Sequence, residues 1–302
     1  MNISLKQVFS FKQQGNRDYQ EDARYPDQDQ PNINQRFFVV CDGVGGSDHG
    51  EVASNTVANA IAEAMKGVDL EDDFTNDDFK RVLDKAYLKL DQKGRKTEGD
   101  MATTLTFVCF HREGATLAHI GDSVIYQIRP GYGIIYRSED HSLLNSLVHS
   151  GVLSPEEAEA NPRKNVITRY MEPAEEDQSR CSATVVRTKD IMPGDYFILS
   201  SDGVGAKIDD DSLTDIILDP NTDDKQKTDK IATISQDSSD NNTAFIIHIG
   251  KVEDSEDSED LENSQESTIK IFKTKESHQE VEPNQPTFKK SLFHRFKDRL
   301  GL

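Results

Sequence analysis

An α+β fold of layered sheets flanked by helices is what this sequence predicts, and two observations carry the prediction. Strand-like segments open and close the body, at residues 3–11 and 243–249. Segments with helical spacing lie between them in pairs, where a parallel β-α-β ladder would alternate single helices with single strands.

The elements follow in order. Residues 3–11 (ISLKQVFSF) alternate apolar and polar, and 36–41 (RFFVVC) is an apolar run of strand length. Glu51–Met65 repeats Val57, Ile61 and Met65 at helical spacing, with Val52, Ala58 and Ala62 beside them. Asp77–Leu90 places Phe79, Val82, Leu83 and Tyr87 on one helical face. Two short strands flank Gly114, a turn falls at Pro130–Gly131, and strand resumes to Tyr136. Leu143–Ser150 and Pro155–Ala160 read as helices, the second with Ser154 as N-cap and Pro155 in its first turn. Strands return at 181–187 and 196–200, a helix pair spans 211–235, and a last strand covers 243–249. The pattern does not fix the order of strands within a sheet.

A chain of 302 residues permits one large domain or two small ones, with a sizeable core either way. Apolar residues make up 34% and the net charge is −20, so no basic footprint for nucleic acid is present. No stretch approaches the ~20 apolar residues of a membrane span, and no apolar leader segment opens the chain. Three cysteines without close spacing suit a reducing compartment. The expected location is cytoplasmic. Beyond Lys251 the composition shifts: residues 253–266 are mostly Glu, Asp and Ser. The expected organisation is therefore a body over 1–251, an acidic disordered linker over 252–287, and a basic amphipathic helix over 288–302. In that helix Phe288, Leu292, Phe293, Phe296 and Leu300 share one face. Such a face docks on the body, on a partner, or peripherally on an anionic membrane surface.

The chemistry is announced by Asp42, Asp122, Asp202 and Asp240, each in its own strand-like segment beside a polar or glycine-bearing turn. Aspartate is a poor strand former, so its recurrence there needs a reason. Clustered carboxylates raise one another's pKa, and a hard divalent cation relieves that conflict because Mg²⁺ and Mn²⁺ prefer oxygen ligands. The alternative for Asp42 is a plain Asp-Gly turn, for Asp122 a cap on a strand turn, and for Glu21 and Asp22 a solvated surface pair.

Eight short motifs then occur in order: G-N-R-D-Y-Q-E-D (Gly15–Asp22), D-G-V-G-G (Asp42–Gly46), Thr103–Thr104, G-D-S (Gly121–Ser123), D-H-S (Asp140–Ser142), N-V-I-T-R (Asn165–Arg169), S-D-G-V (Ser201–Val204) and D-N-N-T (Asp240–Thr243). Over roughly residues 5–250 the chain resembles the metal-dependent serine/threonine phosphatases of the PP2C (PPM) family, in their bacterial form. The resemblance implies an α-β-β-α four-layer sandwich of two antiparallel sheets flanked by helices. It also implies two Mg²⁺ or Mn²⁺ ions held by Asp42, the Gly43 carbonyl, Asp202 and Asp240, with Asp122 at a weaker third site. Arg17 would bind phosphate, and Glu21 and Asp22 would hydrogen-bond water around the metals. A hydroxide bridging the ions would attack phosphorus with no covalent intermediate, on phosphorylated protein substrates made by a cognate Ser/Thr kinase.

The chain departs from the family pattern in three places. Gln20 stands where asparagine is frequent, Val124 where an arginine often follows G-D-S, and Val44 where some relatives carry a histidine after D-G. Valine cannot donate a proton, and His49 and His141 are candidates by sequence only. One rival signal is Cys181–Arg187 (CSATVVR), which has the spacing of a cysteine-phosphatase loop. Its β-branched centre reads as strand instead. Two other functions stand beside hydrolysis: a non-catalytic phosphoprotein-binding module on the same fold, and a scaffold recruited through the tail.

Overall fold

The computed structural model describes residues 1–159, 161, 166–174 and 180–253. One sheet is built from β1 (Asn2–Gln13), β6 (Val124–Arg129), β7 (Gly133–Arg137), β9 (Tyr196–Ser200) and β10 (Asn242–Glu253), in the order β1-β10-β9-β6-β7. The other holds β2 (Ala23–Tyr25), β3 (Phe37–Cys41), β4 (Leu105–His111), β5 (Gly114–Ile120) and β8 (Thr184–Thr188), in the order β2-β3-β4-β5-β8. Every pairing is antiparallel.

Three apolar layers result from strands buried on both faces, whose alternate residues serve different layers. Phe38, Val108, Leu117, Phe197, Phe245 and Ile247 meet between the sheets. Val39, Cys41 and Phe107 point the other way, into α1 (Gly50–Met65) and α2 (Asn76–Gly94) through Val57, Ile61 and Phe79. On the far side Ile198, Ala244 and Ile246 pack against α6 (Asp210–Leu218) and α7 (Asp224–Ser235) through Leu213, Ile217 and Ile231. Helix, sheet, sheet, helix is the four-layer sandwich. Each large side chain buried there contributes about 1.5–3 kcal/mol, against about 0–1 kcal/mol for an exposed ion pair, so the layers hold the fold.

The remaining helices are short: α3 (Leu143–His149), α4 (Pro155–Glu159) and α5 (Asp202–Gly205). Ser154 starts α4 as expected, its hydroxyl accepting the Glu157 N–H while the Glu157 carboxylate accepts the Ser154 N–H. The last strand carries on through Glu253. The rest of the acidic linker expected over 252–287, the amphipathic helix expected over 288–302, and Asn165 lie outside the described residues. Among the described residues no helix is long and apolar enough to cross a membrane.

Candidate active site

Asp42 leaves the end of β3 with its backbone fixed by buried hydroxyls. Its N–H donates to Thr104 Oγ1 (3.0 Å), and its carbonyl accepts from Thr103 Oγ1 and from the Thr104 N–H, each at 2.8 Å. Thr104 Oγ1 in turn lies 2.7 Å from Ser123 Oγ, which ties the Asp42 turn to the turn holding Asp122. Gly43 has no room for a side chain, because a Cβ there would lie 2.8 Å from the Glu21 Cβ and 2.7 Å from the Gly50 backbone. The glycine thus lets the strand that ends at Cys41 and the Arg17–Asp22 loop meet backbone to backbone.

That loop is pressed onto the start of β10. Gly15 has φ +59°, and a Cβ on it would sit 2.2 Å from the Asp240 carbonyl oxygen, so only glycine fits. Asn16 N–H donates to the Ser238 carbonyl at 2.8 Å. Asn241, almost fully buried, completes the clamp: its Nδ2 donates to the carbonyls of Gln14 (2.7 Å) and Tyr19 (2.9 Å), and its Oδ1 accepts the Glu21 N–H (2.7 Å). Arg17 Nη2 is consequently 2.6 Å from Asp240 Oδ2, and its guanidinium lies over Gly45. Asp202 opens α5 directly after β9, and the adjacent Ser201 Oγ donates to Asp22 Oδ2 at 2.8 Å.

Burial comes first among the causes that raise these carboxyls, and their mutual repulsion adds to it. Asp42 is pushed well above the carboxylate range by burial and by Asp22, Asp202, Asp122 and Asp240. Burial drives Asp22 up to about 7, against the opposing hydrogen bond from Ser201. Asp122 also rises to about 7, through burial and Asp202. Asp202 rises through burial and Asp240, and Glu21 through burial. One oxygen each of Asp22 and Asp202 is buried with no hydrogen-bond partner. Among the described residues no group of three or more His, Cys, Asp and Glu side chains is drawn in tightly as a finished metal cage. The chemistry of the donor set still fits a hard divalent cation, which satisfies orphaned carboxylate oxygens and removes the repulsion.

The charged residues expected from the sequence, Arg17, Glu21, Asp22, Asp42, Asp122, Asp202 and Asp240, are linked electrostatically, and Gly43 packs against Glu21. Asn241, Ser201 and the hydroxyls of Thr103, Thr104 and Ser123 had no role assigned from sequence. Their signal was polarity at positions flanking buried strands. His141 is no proton donor at neutral pH: Nδ1 accepts the Gly121 N–H, Nε2 pairs with Thr184 Oγ1, and burial pulls its pKa to about 3. The cysteine-loop reading fails on geometry. Thr184–Thr188 is strand β8 paired to β5, and Arg187 is bound to Asp73.

A family model described as Protein phosphatase 2C matches residues 19–228. The chain belongs to the protein phosphatase 2C family. It is 33% identical over 221 residues to protein phosphatase PhpP of Streptococcus pneumoniae, covering 72% of this chain and 84% of that one. The solved structure of serine/threonine phosphatase Stp1 from Staphylococcus aureus matches with TM-score 0.69 and 25% identity, over 82% of this chain and 96% of that one. The PPM Ser-Thr phosphatase MsPP from Mycobacterium smegmatis matches with TM-score 0.66 and 25% identity, over 82% and 100%. This protein phosphatase 2C is therefore a hydrolase, a metal-dependent protein serine/threonine phosphatase.

Proposed function

We propose that Asp42, the Gly43 carbonyl, Asp202 and Asp240 hold two Mg²⁺ or Mn²⁺ ions, with Asp122 at a weaker third site. In this reading Arg17 holds the phosphoryl group of a phosphoserine or phosphothreonine protein. The observation that carries the reading is the convergence of buried, repelling carboxylates on Asp42 with Arg17 beside them. When bound, such a metal pair would supply an acidified water as the nucleophile for in-line displacement at phosphorus, with no phosphoenzyme.

The chain's own residues do the rest. Arg17 exchanges Asp240 for two phosphoryl oxygens, a contact its planar fork suits, and offsets charge as the reaction proceeds. Glu21 and Asp22 orient water around the site, and Asn241 keeps the loop carrying them in register. Val44 has no proton to give and His141 is bound at both nitrogens, so the leaving alkoxide would take its proton from water or from another residue. Retention of Arg17 and the carboxylates argues against a non-catalytic binding module. A cytoplasmic phosphatase of this kind reverses a cognate Ser/Thr kinase. The body, expected over 1–251 and continued by strand through Glu253, supplies the catalysis, the rest of 252–287 a tether, and 288–302 docking to the body, to a partner or peripherally to a membrane surface.

The test is hydrolysis of a phosphothreonine peptide with Mn²⁺, with and without EDTA. Phosphate release that is lost in EDTA and restored by excess Mn²⁺ is expected. Equal release under both conditions rejects the reading.

A further inference from the structure

A cavity of about 370 Å³ opens beside the reaction centre, with Asp202 on the wall the two share. It lies between the start of β6, the end of β9 and the loop entering α6. Val124, Ile208 and the Tyr126 ring give it an apolar lining, and Asp202, Asp209, Asp210 and Asp211 give it carboxylates. Among the described residues, Arg137 is the one cation that lines it. That guanidinium is already engaged, with Nε 3.2 Å from Asp210 Oδ2 and its carbon 5.6 Å from the Tyr126 centroid. Among the described residues that line it, no second cation answers Asp209 and Asp211, and Asp202 belongs to the reaction centre.

An apolar lining with carboxylates around it matches one kind of side chain. Lysine or arginine lays its methylene stem on apolar surface and keeps its charged head among acceptors. An acidic group would meet like charge, and an apolar group would leave the carboxylates unanswered. Arg137 over Tyr126 and against Asp210 displays the same recognition in the same cavity. Val124 lines the space with a short uncharged side chain, where the family pattern often has an arginine. The net charge of −20 adds a long-range pull on basic partners.

We propose that this cavity is a substrate subsite for a lysine or arginine side chain close in sequence to the phosphorylated residue. The proposal rests on the reaction centre placed at Asp42 and Asp202, and makes basic phosphoproteins the preferred substrate class.

The test compares two phosphothreonine peptides, identical except for lysines or alanines flanking the phosphothreonine, by kcat/KM with Mn²⁺ at low and high salt. The full-length protein is compared with a D209N/D211N variant and with V124R. Asp209 caps α6 by accepting the Ser212 N–H at 2.7 Å, a bond asparagine retains, so the double variant keeps its helix. The lysine peptide should be preferred about threefold to tenfold at low salt, the range set by two partly exposed charge pairs, and less at high salt. Both variants should lose that preference and keep the wild-type rate on the alanine peptide. Equal rates on the two peptides in the wild type, or an unchanged preference in the variants, overturn the subsite while hydrolysis itself stands. Absence of hydrolysis of either peptide overturns the reaction centre and the subsite with it.

Discussion

Replacing Asn241 by alanine should loosen the loop that carries Arg17 and Glu21 while leaving every charged group of the site in place. Asn241 makes three hydrogen bonds to that loop, at 2.7, 2.9 and 2.7 Å, and is 2% exposed. A hydrogen bond of this kind contributes about 0.5–1.5 kcal/mol net, so three set an upper range of about 1.5–4.5 kcal/mol. The three bonds are only partly buried, so water replaces part of each and the expected loss centres on about 2–3 kcal/mol. Urea unfolding measures it, and thermal unfolding should fall by roughly 5–10 °C for a body of this size. With Mn²⁺, kcat/KM should drop at least about tenfold, because Arg17 no longer meets the phosphoryl group pre-aligned. Asn241→Asp is the companion, retaining the acceptor for Glu21 N–H but losing both donors beside Asp240. An alanine variant within 0.5 kcal/mol of wild type, with unchanged kcat/KM, would refute the clamp.

Asp42→Asn or Asp202→Asn should cost on the order of 10²-fold or more in kcat, while Arg17→Ala should mainly raise KM. Wild-type turnover in a correctly folded Asp202→Asn protein sinks the two-metal reading. The pH dependence of metal-free stability follows from Asp22 and Asp122, each pushed up to about 7. Their folded pKa exceeds the unfolded value of about 3.9, so the stability they contribute is complete below about pH 4 and is lost as pH rises through 7. The rise in Tm on adding Mn²⁺ to EDTA-treated protein should therefore be larger at pH 7.5 than at pH 5, and a rise independent of pH contradicts it. Buried His111, lowered to about 4 by burial, loses stability in the opposite direction, but it faces Asp73 and Glu113 and none of the site carboxylates, and cancels in that difference. Iodoacetamide should leave activity intact, because Cys41 and Cys109 are buried and burial raises the Cys181 thiol. Loss of activity without unfolding reopens a thiol mechanism.

The layers were legible because each inner strand carries apolar residues on both faces, as Phe38 and Val40 do against Val39 and Cys41. The strand order was not, since β1 pairs with β10 across the whole body and no local pattern encodes that register. β2 went unread because three residues cannot show a period, and α5 because its single turn, Asp202–Gly205, contains two glycines. β10 outran its apolar stretch, reaching charged Glu253 because Asn2–Ser4 supply a pairing edge. α2 begins at Asn76 because Thr75 and Asp78 close a capping box just before its apolar face. Within the site, the aspartates stood out because they break the apolar pattern. Ser201 and Asn241 stood inside the quoted motifs without a role, because the groups they satisfy lie about two hundred residues away along the chain.

Two arginine–aspartate pairs show how one interaction serves two ends. Arg129 donates from Nε at 2.8 Å and from Nη2 at 2.9 Å to Asp195, whose side chain is wholly buried. Separating that pair would leave an uncompensated charge in the interior, so it is fixed structure. Arg17 and Asp240 meet at 2.6 Å through a single hydrogen bond, with side chains 38% and 30% exposed. Solvent reaches both partners, and a pair so placed is worth only about 0–1 kcal/mol. Under the proposed reading, in which Asp240 holds a cation and Arg17 a phosphoryl group, the pair separates at little cost because it is weak. Arg17→Lys, which keeps the charge but not the planar fork, should therefore bind phosphopeptide more weakly than wild type even with Mn²⁺ saturating. A lysine variant with unchanged KM would show that charge alone, without bidentate geometry, holds the phosphoryl group.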